Sequence, residues 1–469
     1  MSDKSQTKFG KLVGLKPDTS IKTEIIAGIT TFFAMCYIIF VNPSTMTDGI
    51  PGLSGAAYIG TIIAAVIGTL LYAFLAKKPF AQASGMGLNA FFFVSFILPA
   101  LLNGGDPYAN YGAGLVIILI SGLIFLILSV TGLRSYIAKS LPDCLKKSIP
   151  AGIGLFIAFI GMQGAGIVVA DQYTLVQLPN LMSWETAAPV LCAILGLVAI
   201  VVFNKIGMGW MKKASIVLGI LTSTVLYYLF TWTAPSFDLG NIGQSFKDFG
   251  DYGLAVFNPA SWAHAFDGAT FGGIFAVLML IITFCLVDMF DTIGTLYGTC
   301  AQANMLDANG DPEDIEKCML CDSIATCTGA MVGVSTVTTF VESASGVAEG
   351  GRTGLTSLVI AGLFAICLVL SPIAGIIPGV ATAPALIYVG VLMLKNFKAV
   401  DMDDLSSAIP AFLTLTIMPL TYSISNGIAI GAISYVLIRL FTGKFSKKDI
   451  VVTVIAVLFI LRFALVAEM

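Results

Sequence analysis

Four acidic residues of this sequence lie within long apolar stretches: Asp288, Asp291, Asp322 and Glu342. A carboxylate at the centre of a bilayer costs at least about 2.5–3.5 kcal/mol, so such residues are retained mainly for a function. Residues three apart lie on one side of a helix, which predicts that Asp288 and Asp291 share a helix face. A buried carboxylate can accept hydrogen bonds from a ligand and can also load and release a proton. We expect Asp291 and Glu342 to contact a substrate.

Three of these carboxylates also have a structural interpretation. Glu342 follows a β-branched segment and opens a half-helix, where the helix dipole and free N–H groups favour a negative charge, so it could be a cap. Asp288 is either a proton site or the acceptor of a structural hydrogen bond. For Asp322 the structural interpretation is favoured, with its carboxylate accepting from a threonine or a backbone group on a broken helix.

The composition predicts that these residues sit in a membrane protein. Of 469 residues 57% are hydrophobic and 11% are charged, whereas a soluble domain has about 25% charged residues. Gly55–Ala76, Gly112–Leu133 and Thr353–Leu370 carry no charge, and each has about the 20 residues that a helix needs to cross a bilayer. Residues 1–23 are polar and carry lysines, so we expect no secretory signal. The predicted fold class is an all-α polytopic membrane protein.

The distribution of lysine and arginine favours an even number of spans. We predict fourteen transmembrane spans, at 24–42, 55–76, 84–102, 113–133, 149–169, 187–204, 214–232, 272–298, 318–333, 335–351, 353–372, 375–396, 405–423 and 425–442. With these spans Lys247 is the only basic residue in an outside loop, which predicts a cytoplasmic N-terminus. The apolar tail at 450–466 contains Arg462, so we favour a helix on or in the membrane surface over a fifteenth span.

Two segments within these spans are unsuited to a continuous helix. Phe80–Asn89 is rich in glycine and small residues, and Val332–Val341 is β-branched, which favours a short strand. Unpaired backbone groups cannot face lipid, so irregular segments at this depth are expected to line a cavity inside the protein. The breaks fall at spans three and ten, seven spans apart, which indicates an inverted repeat with a site near the midplane.

Four motifs carry a resemblance to a known family: Thr30–Pro43, Gly85–Phe91, Val287–Gly294 and Thr338–Leu355. In them the sequence resembles the nucleobase–cation symporter-2 (nucleobase–ascorbate) transporters, in particular their azaguanine-like guanine/hypoxanthine permease branch. The resemblance implies a 7+7 inverted repeat, with a core domain at 24–133 and 272–372 and a gate domain at 149–232 and 375–442. Residues 233–271 would form an extracellular loop and 443–469 a C-terminal tail, and homodimers would form through the gate domain.

The resemblance also assigns the binding carboxylates of spans eight and ten to Asp291 and Glu342. This chain departs from the uracil-permease pattern, because the span-eight acid is Asp rather than Glu and one residue is inserted between Glu342 and Gly346. Thr31 stands where some relatives carry a histidine. Proton coupling is therefore expected from a carboxylate, either Asp288 or Asp291.

The expected function is proton-coupled uptake of purine nucleobases across the cell membrane by alternating access. Guanine presents N1–H and N2–H side by side, which matches the two oxygens of one carboxylate, and hypoxanthine keeps N1–H. The remaining predicted contacts are donors to the ring, stacking aromatic residues and a neighbouring hydroxyl: Asn89, Phe91, Phe32, Phe340 and Ser343. The alternatives are an adenine permease of the same family, an anion exchanger or channel of the same fold, and coupling to sodium.

Other functions are disfavoured by the composition. A net charge of −3 predicts no basic surface for nucleic acid. Cys318 and Cys321 have the spacing of a metal or redox pair, but no second pair or nearby histidine completes a site, so we expect no metal and no cofactor. No His-Glu-x-x-His motif is present, and we expect no enzymatic activity. His264, the only histidine, is expected on the surface.

Overall fold

The computed structural model describes residues 7–17, 19–131, 141–233, 240–267, 273–303, 305–306, 312–370 and 376–465. The α-helices of this part of the chain are α1 (Lys8–Val13), α2 (Ile21–Met35), α3 (Ile38–Thr47), α4 (Leu53–Leu71), α5 (Met86–Phe92), α6 (Leu98–Asn103), α7 (Pro107–Val130), α8 (Asp143–Gly164), α9 (Trp184–Ile206), α10 (Trp210–Lys213), α11 (Ser215–Thr231), α12 (Gly240–Asp248), α13 (Pro259–Ala265), α14 (Ile274–Ala303), α15 (Ile315–Met331), α16 (Ser343–Ala348), α17 (Gly354–Ile366), α18 (Gly379–Leu394), α19 (Leu405–Leu420), α20 (Ile424–Phe441) and α21 (Ile450–Leu465). The strands are β1 (Gln82–Ser84), β2 (Val169–Asp171), β3 (Leu175–Gln177) and β4 (Val337–Thr339).

The helical membrane fold is confirmed. Among the described residues nine helical segments are long and apolar enough to cross a membrane: Ile21–Thr47, Leu53–Ala76, Met86–Asn103, Pro107–Val130, Asp143–Gly164, Trp184–Ile206, Ile274–Tyr297, Gly379–Ala399 and Ile424–Phe441. Four shorter apolar helices accompany them, at Ser215–Thr231, Gly354–Val369, Leu405–Leu420 and Ile450–Ala464. The count of fourteen spans stays a prediction, as does the placement of the tail, where Arg462 donates to Ser425 Oγ at 2.6 Å.

The predicted short strands are present at both breaks, and they pair with each other. β1 and β4 run antiparallel, with Gln82 opposite Thr339 and Ser84 opposite Val337. Two further backbone bonds extend the ladder, from Gly85 N–H to Thr336 O (2.9 Å) and from Phe340 N–H to Ala81 O (3.0 Å). Both strands are fully buried. Pairing across the two halves of the chain satisfies the backbone hydrogen-bonding groups that a lone strand would leave unpaired. α5 begins shortly after β1, and α16 begins shortly after β4.

The helices pack in two groups. α2 and α4 pack on α17, and α7 packs on α14 and α15, so the segments expected to form the core contact each other across the two halves. α8 packs on α18 and α19, while α9 packs on α11 and α18, which joins the segments expected to form the gate. Glycine allows the closest of these approaches, since a Cβ at Gly154 of α8 would lie 2.6 Å from Met393 Cβ of α18. The domain bounds themselves stay a prediction.

The segment predicted as an extracellular loop is folded against the helices in its described part. It contains α12 and α13, and its Tyr252 ring lies 4.9 Å from that of Tyr108. His264 is half-buried there and its Nε2 hydrogen-bonds Asn110 Oδ1 at 2.7 Å. His264 is therefore only partly exposed at the surface, because α13 packs onto α7.

Candidate functional site

A cavity of about 630 Å³ lies between the two groups of helices, beside the paired strands. Core residues on its wall include Thr30, Tyr37, Gly85, Asp291, Thr338, Phe340 and Glu342, and gate residues include Pro150, Ile157, Lys212, Lys213, Tyr388 and Lys395. This volume is within the range of about 300–1,000 Å³ that is usual for small-molecule sites. Its lining combines apolar surface with a few polar side chains, which is also typical of such sites.

Glu342 connects β4 to α16 and lies on the wall of the cavity. Its Oε1 accepts a hydrogen bond from the Tyr37 hydroxyl at 2.7 Å. Its backbone carbonyl accepts from the N–H of Ser345 at 2.9 Å and from Ser345 Oγ at 2.6 Å. The Glu342 side chain makes no capping hydrogen bond to α16, so the capping interpretation does not account for it. The carboxylate is held at the cavity by a residue from the other half of the chain.

Tyr37 is a site residue that the sequence analysis missed. It occupies the short break between α2 and α3, and its side chain is fully buried while it lines the cavity. The break turns the tyrosine toward Glu342, 305 positions away in the sequence. Neither residue of the break, Cys36 or Tyr37, is glycine or proline, so nothing in the local sequence indicated an interruption.

Asp291 reaches the same cavity from α14, as the sequence analysis expected. Gly85, at the end of β1, lies next to it: a Cβ at Gly85 would be 3.9 Å from Asp291 Oδ2 and 2.8 Å from Thr338 Cγ2. The absence of a side chain at Gly85 therefore lets the strand end approach the carboxylate. Asp291 and Glu342 both line this cavity, so the structure brings the two predicted carboxylates to one site.

Asp288 and Asp322 lie behind the cavity wall, in a buried network of reciprocal hydrogen bonds. Thr326 of α15 donates to Asp288 Oδ2 of α14 at 2.8 Å, and Thr292 of α14 donates to Asp322 Oδ2 of α15 at 2.7 Å. Gln82 Nε2 of β1 donates to Asp322 Oδ1 at 3.0 Å. Both helices are thereby fastened to each other and to the strand pair, which is the structural role favoured for Asp322.

Asp288 and Asp291, which were predicted to share one helix face, have different surroundings in the structure. Residues three apart on an α-helix differ by about 60° around its axis, which is enough to turn Asp288 toward α15 while Asp291 faces the cavity. Thr295, one turn after Asp291, also lines the cavity. Of the two aspartates, Asp291 lines the cavity, while Asp288 makes a structural hydrogen bond, which is one of the two interpretations left open for it.

Four other predicted contacts are not on the described wall of the cavity. Phe91 packs on Phe284 at 4.8 Å between ring centroids, and Phe32 packs on Phe364 at 5.2 Å. Asn89 is buried and its Oδ1 accepts from Ser84 Oγ at 2.6 Å.

Ser343 Oγ accepts from the Ala81 N–H at 3.0 Å and so joins α16 to the approach of β1. Each of these four side chains contacts a neighbouring element of the core. Of the three aromatic residues predicted to stack on a substrate, Phe340 lines the cavity, whereas Phe32 and Phe91 do not.

A contact between core and gate borders the cavity. Lys213, at the end of α10, places its Nζ 3.1 Å from Glu349 Oε1 and donates to Thr30 Oγ1 at 2.9 Å. All three residues line the cavity. Three lysines line this end of the cavity: Lys212, Lys213 and Lys395. The cavity therefore extends to the side of the protein on which these lysines lie. The part of the chain that the structure describes contains no cluster of three or more His, Cys, Asp or Glu residues arranged for a metal ion.

Comparison with known proteins agrees with this architecture. Residues 22–430 match the family model Xan_ur_permease, described as Permease family. The guanine/hypoxanthine permease PbuO of Bacillus subtilis is 40% identical, over 95% of this chain and 97% of its own length. The adenine permease AdeP of Escherichia coli is 36% identical, over 96% of this chain and 94% of its own length.

Among solved structures, the transmembrane domain of the cyanobacterial bicarbonate transporter BicA superposes with a TM-score of 0.59 and 14% identity, over 87% of this chain and 97% of that domain. At this identity the likeness shows the fold alone. The sequence motifs, the paired strands between two helix groups and the match over most of the chain agree with one another. The chain is a member of the nucleobase–ascorbate transporter family of membrane permeases.

Proposed function

We propose that this chain imports purine nucleobases, principally guanine and hypoxanthine, in symport with protons. The observation that carries the proposal is the pair of carboxylates, Asp291 and Glu342, on the wall of one cavity between core and gate helices. Similar chains named as guanine/hypoxanthine and adenine permeases support the purine class of substrate. An anion exchanger of the same fold is disfavoured, because two carboxylates would repel an anion from this cavity.

The proposed recognition uses the donor edge of the purine. An ionised carboxylate only accepts hydrogen bonds, and guanine offers N1–H and N2–H side by side to its two oxygens. Hypoxanthine keeps N1–H and would be bound with one bond fewer. Adenine presents an unprotonated N1, so an acceptor would face an acceptor there, at a cost of roughly 1–3 kcal/mol for the unsatisfied group.

The rest of the cavity supplies the complementary surfaces. Phe340, Val341 and Tyr388 offer apolar or aromatic contact to the faces of a flat ring. Met86 and Gly87 line the cavity in the first turn of α5, where backbone N–H groups have no acceptor within the helix. These N–H groups take over the role expected of Asn89, donating to O6 or N7 of the purine.

For the coupling proton the proposed carrier is Asp291. It lies on the cavity wall, where water can deliver and remove a proton, whereas Asp288 accepts from Thr326 inside the core. A carboxylate that is desolvated when the site closes binds a proton more readily than one exposed to water. One proton moving down roughly 150 mV releases about 3.5 kcal/mol, which supports an accumulation of roughly a few hundred-fold.

Transport would proceed by movement of the core relative to the gate. The cavity reaches Lys212, Lys213 and Lys395, which the positive-inside rule assigns to the cytoplasmic side together with the N-terminus. This conformation is accordingly proposed to be open to the cytoplasm. The bond between Lys213 and Glu349 joins the two groups of helices here, and it would have to break when the core moves outward.

The test is uptake of labelled hypoxanthine by cells that lack their own purine permeases, with the amount of protein in the membrane measured alongside. Guanine, adenine, xanthine and uracil are added as competitors, with and without a protonophore. Competition by guanine and loss of uptake with the protonophore are expected. Competition by adenine alone would assign the chain to the adenine permeases, and uptake that depends on sodium instead of protons would remove the coupling role of Asp291.

A further inference from the structure

A hydrogen bond joins Tyr37, in the first span, to Glu342, the proposed substrate carboxylate. The Tyr37 hydroxyl donates to Glu342 Oε1 at 2.7 Å, and both residues line the cavity. Tyr37 has no exposed side-chain surface, so water does not compete strongly for this bond. We infer that Tyr37 is a positioning residue that sets substrate specificity, by holding Glu342 in the orientation that selects a purine with an N1–H donor. The inference rests on the function proposed above.

The orientation follows from which oxygen the tyrosine occupies. Glu342 is fixed at its backbone by the two bonds from Ser345 and at its side chain by the bond from Tyr37 to Oε1. Because Oε1 is held, the carboxylate cannot rotate freely, and Oε2 is left for a ligand. Each carboxylate oxygen can accept two hydrogen bonds, so Oε1 can still accept a second one from a purine N–H. A preorganised acceptor pair of this kind lowers the entropy lost on binding.

The acceptor pattern follows from the same bond. A carboxylate accepts hydrogen bonds without donating any, and the Tyr37 hydroxyl donates to one of its two oxygens. A neutral carboxyl group would instead offer one O–H donor and one acceptor, which is the pattern that matches N1 and the amino group of adenine. By holding the acceptor pair in place, Tyr37 favours guanine and hypoxanthine over adenine.

The test compares Tyr37→Phe with the wild-type chain in the hypoxanthine uptake assay, using guanine and adenine as competitors. A hydrogen bond to a charged group corresponds to about tenfold or more in an equilibrium constant. We expect the inhibition constant of guanine to rise about tenfold while that of adenine stays level or falls. The ratio of the two inhibition constants is the readout, because it does not depend on how much of the variant is folded.

Tyr72→Phe is the matched control. Tyr72 is also fully buried in the core and its hydroxyl also makes a 2.7 Å hydrogen bond, to Thr339 Oγ1, but it does not contact Glu342. We expect this variant to keep the wild-type ratio even where it lowers the amount of transporter.

Two results would overturn the inference. An unchanged ratio in Tyr37→Phe, whether both inhibition constants stay level or both rise equally, would show that the hydroxyl does not govern specificity. The same change of ratio in Tyr72→Phe would show that any perturbed core has this effect. Absence of purine uptake by the wild-type chain is a separate result, seen before any variant is compared, and it would overturn the proposed function as well.

Discussion

Two sets of carboxylates lie within a short distance of each other in the core, and their surroundings are opposite. Asp288 and Asp322 are buried and accept hydrogen bonds from Thr326, Thr292 and Gln82. Asp291 and Glu342 lie on the cavity wall. Of the second set Glu342 is held through Oε1 by the hydroxyl of a tyrosine that also lines the cavity.

The difference shows that acidic residues at membrane depth have two uses within one protein. A buried carboxylate surrounded by donors fastens helices together, because removing any donor or acceptor leaves an unsatisfied group in a region of low dielectric constant. A carboxylate that faces a cavity keeps acceptor capacity for a substrate or a proton. The first set should therefore govern stability, and the second set should govern transport.

The largest effect is expected from Glu342→Gln. An amide would present a donor to the N–H edge of guanine in place of one acceptor and would remove the charge from the remaining bond. Two charge-assisted hydrogen bonds at about 1.5–3 kcal/mol each correspond to a loss of about a hundredfold or more in uptake efficiency. Initial uptake rates over a range of guanine concentrations measure this effect.

Glu349→Gln is the matched control for this variant, since Glu349 lies at the other end of α16 and also lines the cavity. It pairs with Lys213 at a partly exposed position, where an ion pair contributes about 1 kcal/mol or less. Uptake should therefore fall far less than in Glu342→Gln. Equal losses in the two variants would contradict the distinct role of Glu342.

The next largest effect is expected on accumulation in Asp291→Asn. Without a titratable group on the cavity wall the proton gradient no longer drives uptake, so accumulation should fall from roughly a few hundred-fold to an equal concentration on both sides. Exchange of labelled for unlabelled purine should persist. Asp288→Asn is the comparison, and it should keep protonophore-sensitive accumulation in the protein that reaches the membrane. The opposite pattern would assign the proton to Asp288.

A smaller effect, and one on stability, is expected from Asp322→Ala. The substitution leaves Gln82 Nε2 without this acceptor in the core and removes the bond from Thr292, whose hydroxyl keeps only its contact with Thr338 Oγ1. The cost is roughly 3 kcal/mol in the free energy of unfolding. Thermal unfolding of the purified protein in detergent measures this loss. Asp322→Asn, which keeps one acceptor oxygen, should lose less. A normal melting temperature for Asp322→Ala would remove the structural role assigned to this residue.

The two breaks that contain the paired strands could be predicted from the sequence because their cause is local. Val332–Val341 is β-branched and Phe80–Asn89 is rich in small residues, and neither suits a helix facing lipid. The strands are shorter than these segments, at Val337–Thr339 and Gln82–Ser84. Pairing is limited to the residues where the two segments of the chain run side by side. The positions of Asp291 and Glu342 could be predicted for the same reason, since each is next to a break or carries an unusual charge.

Contacts between distant parts of the chain could not be predicted in this way. Helical periodicity gives the face on which Asp288 lies, but not that Thr326 of another helix covers that face. It gives no sign that Tyr37 lies opposite Glu342, which is 305 residues away. Phe91 and Phe32 were assigned to the substrate because aromatic residues next to a conspicuous motif suit a flat ring. The structure shows them packed on Phe284 and Phe364, a role that any apolar neighbour can satisfy.

The smallest effect is expected from Thr326→Val, which sharpens the comparison most because it leaves every carboxylate in place. It removes the hydroxyl that donates to Asp288 and that also contacts Val337 of β4, at about 1–2 kcal/mol in the free energy of unfolding. Thr224→Val is the control, because that buried hydroxyl only donates back to Ile220 O of its own helix. Thermal unfolding should separate the two variants, while uptake per folded molecule stays near wild type in both. If Thr326→Val instead lowered uptake without lowering the melting temperature, the buried network would belong to the transport mechanism, and the division between the two sets of carboxylates would fail.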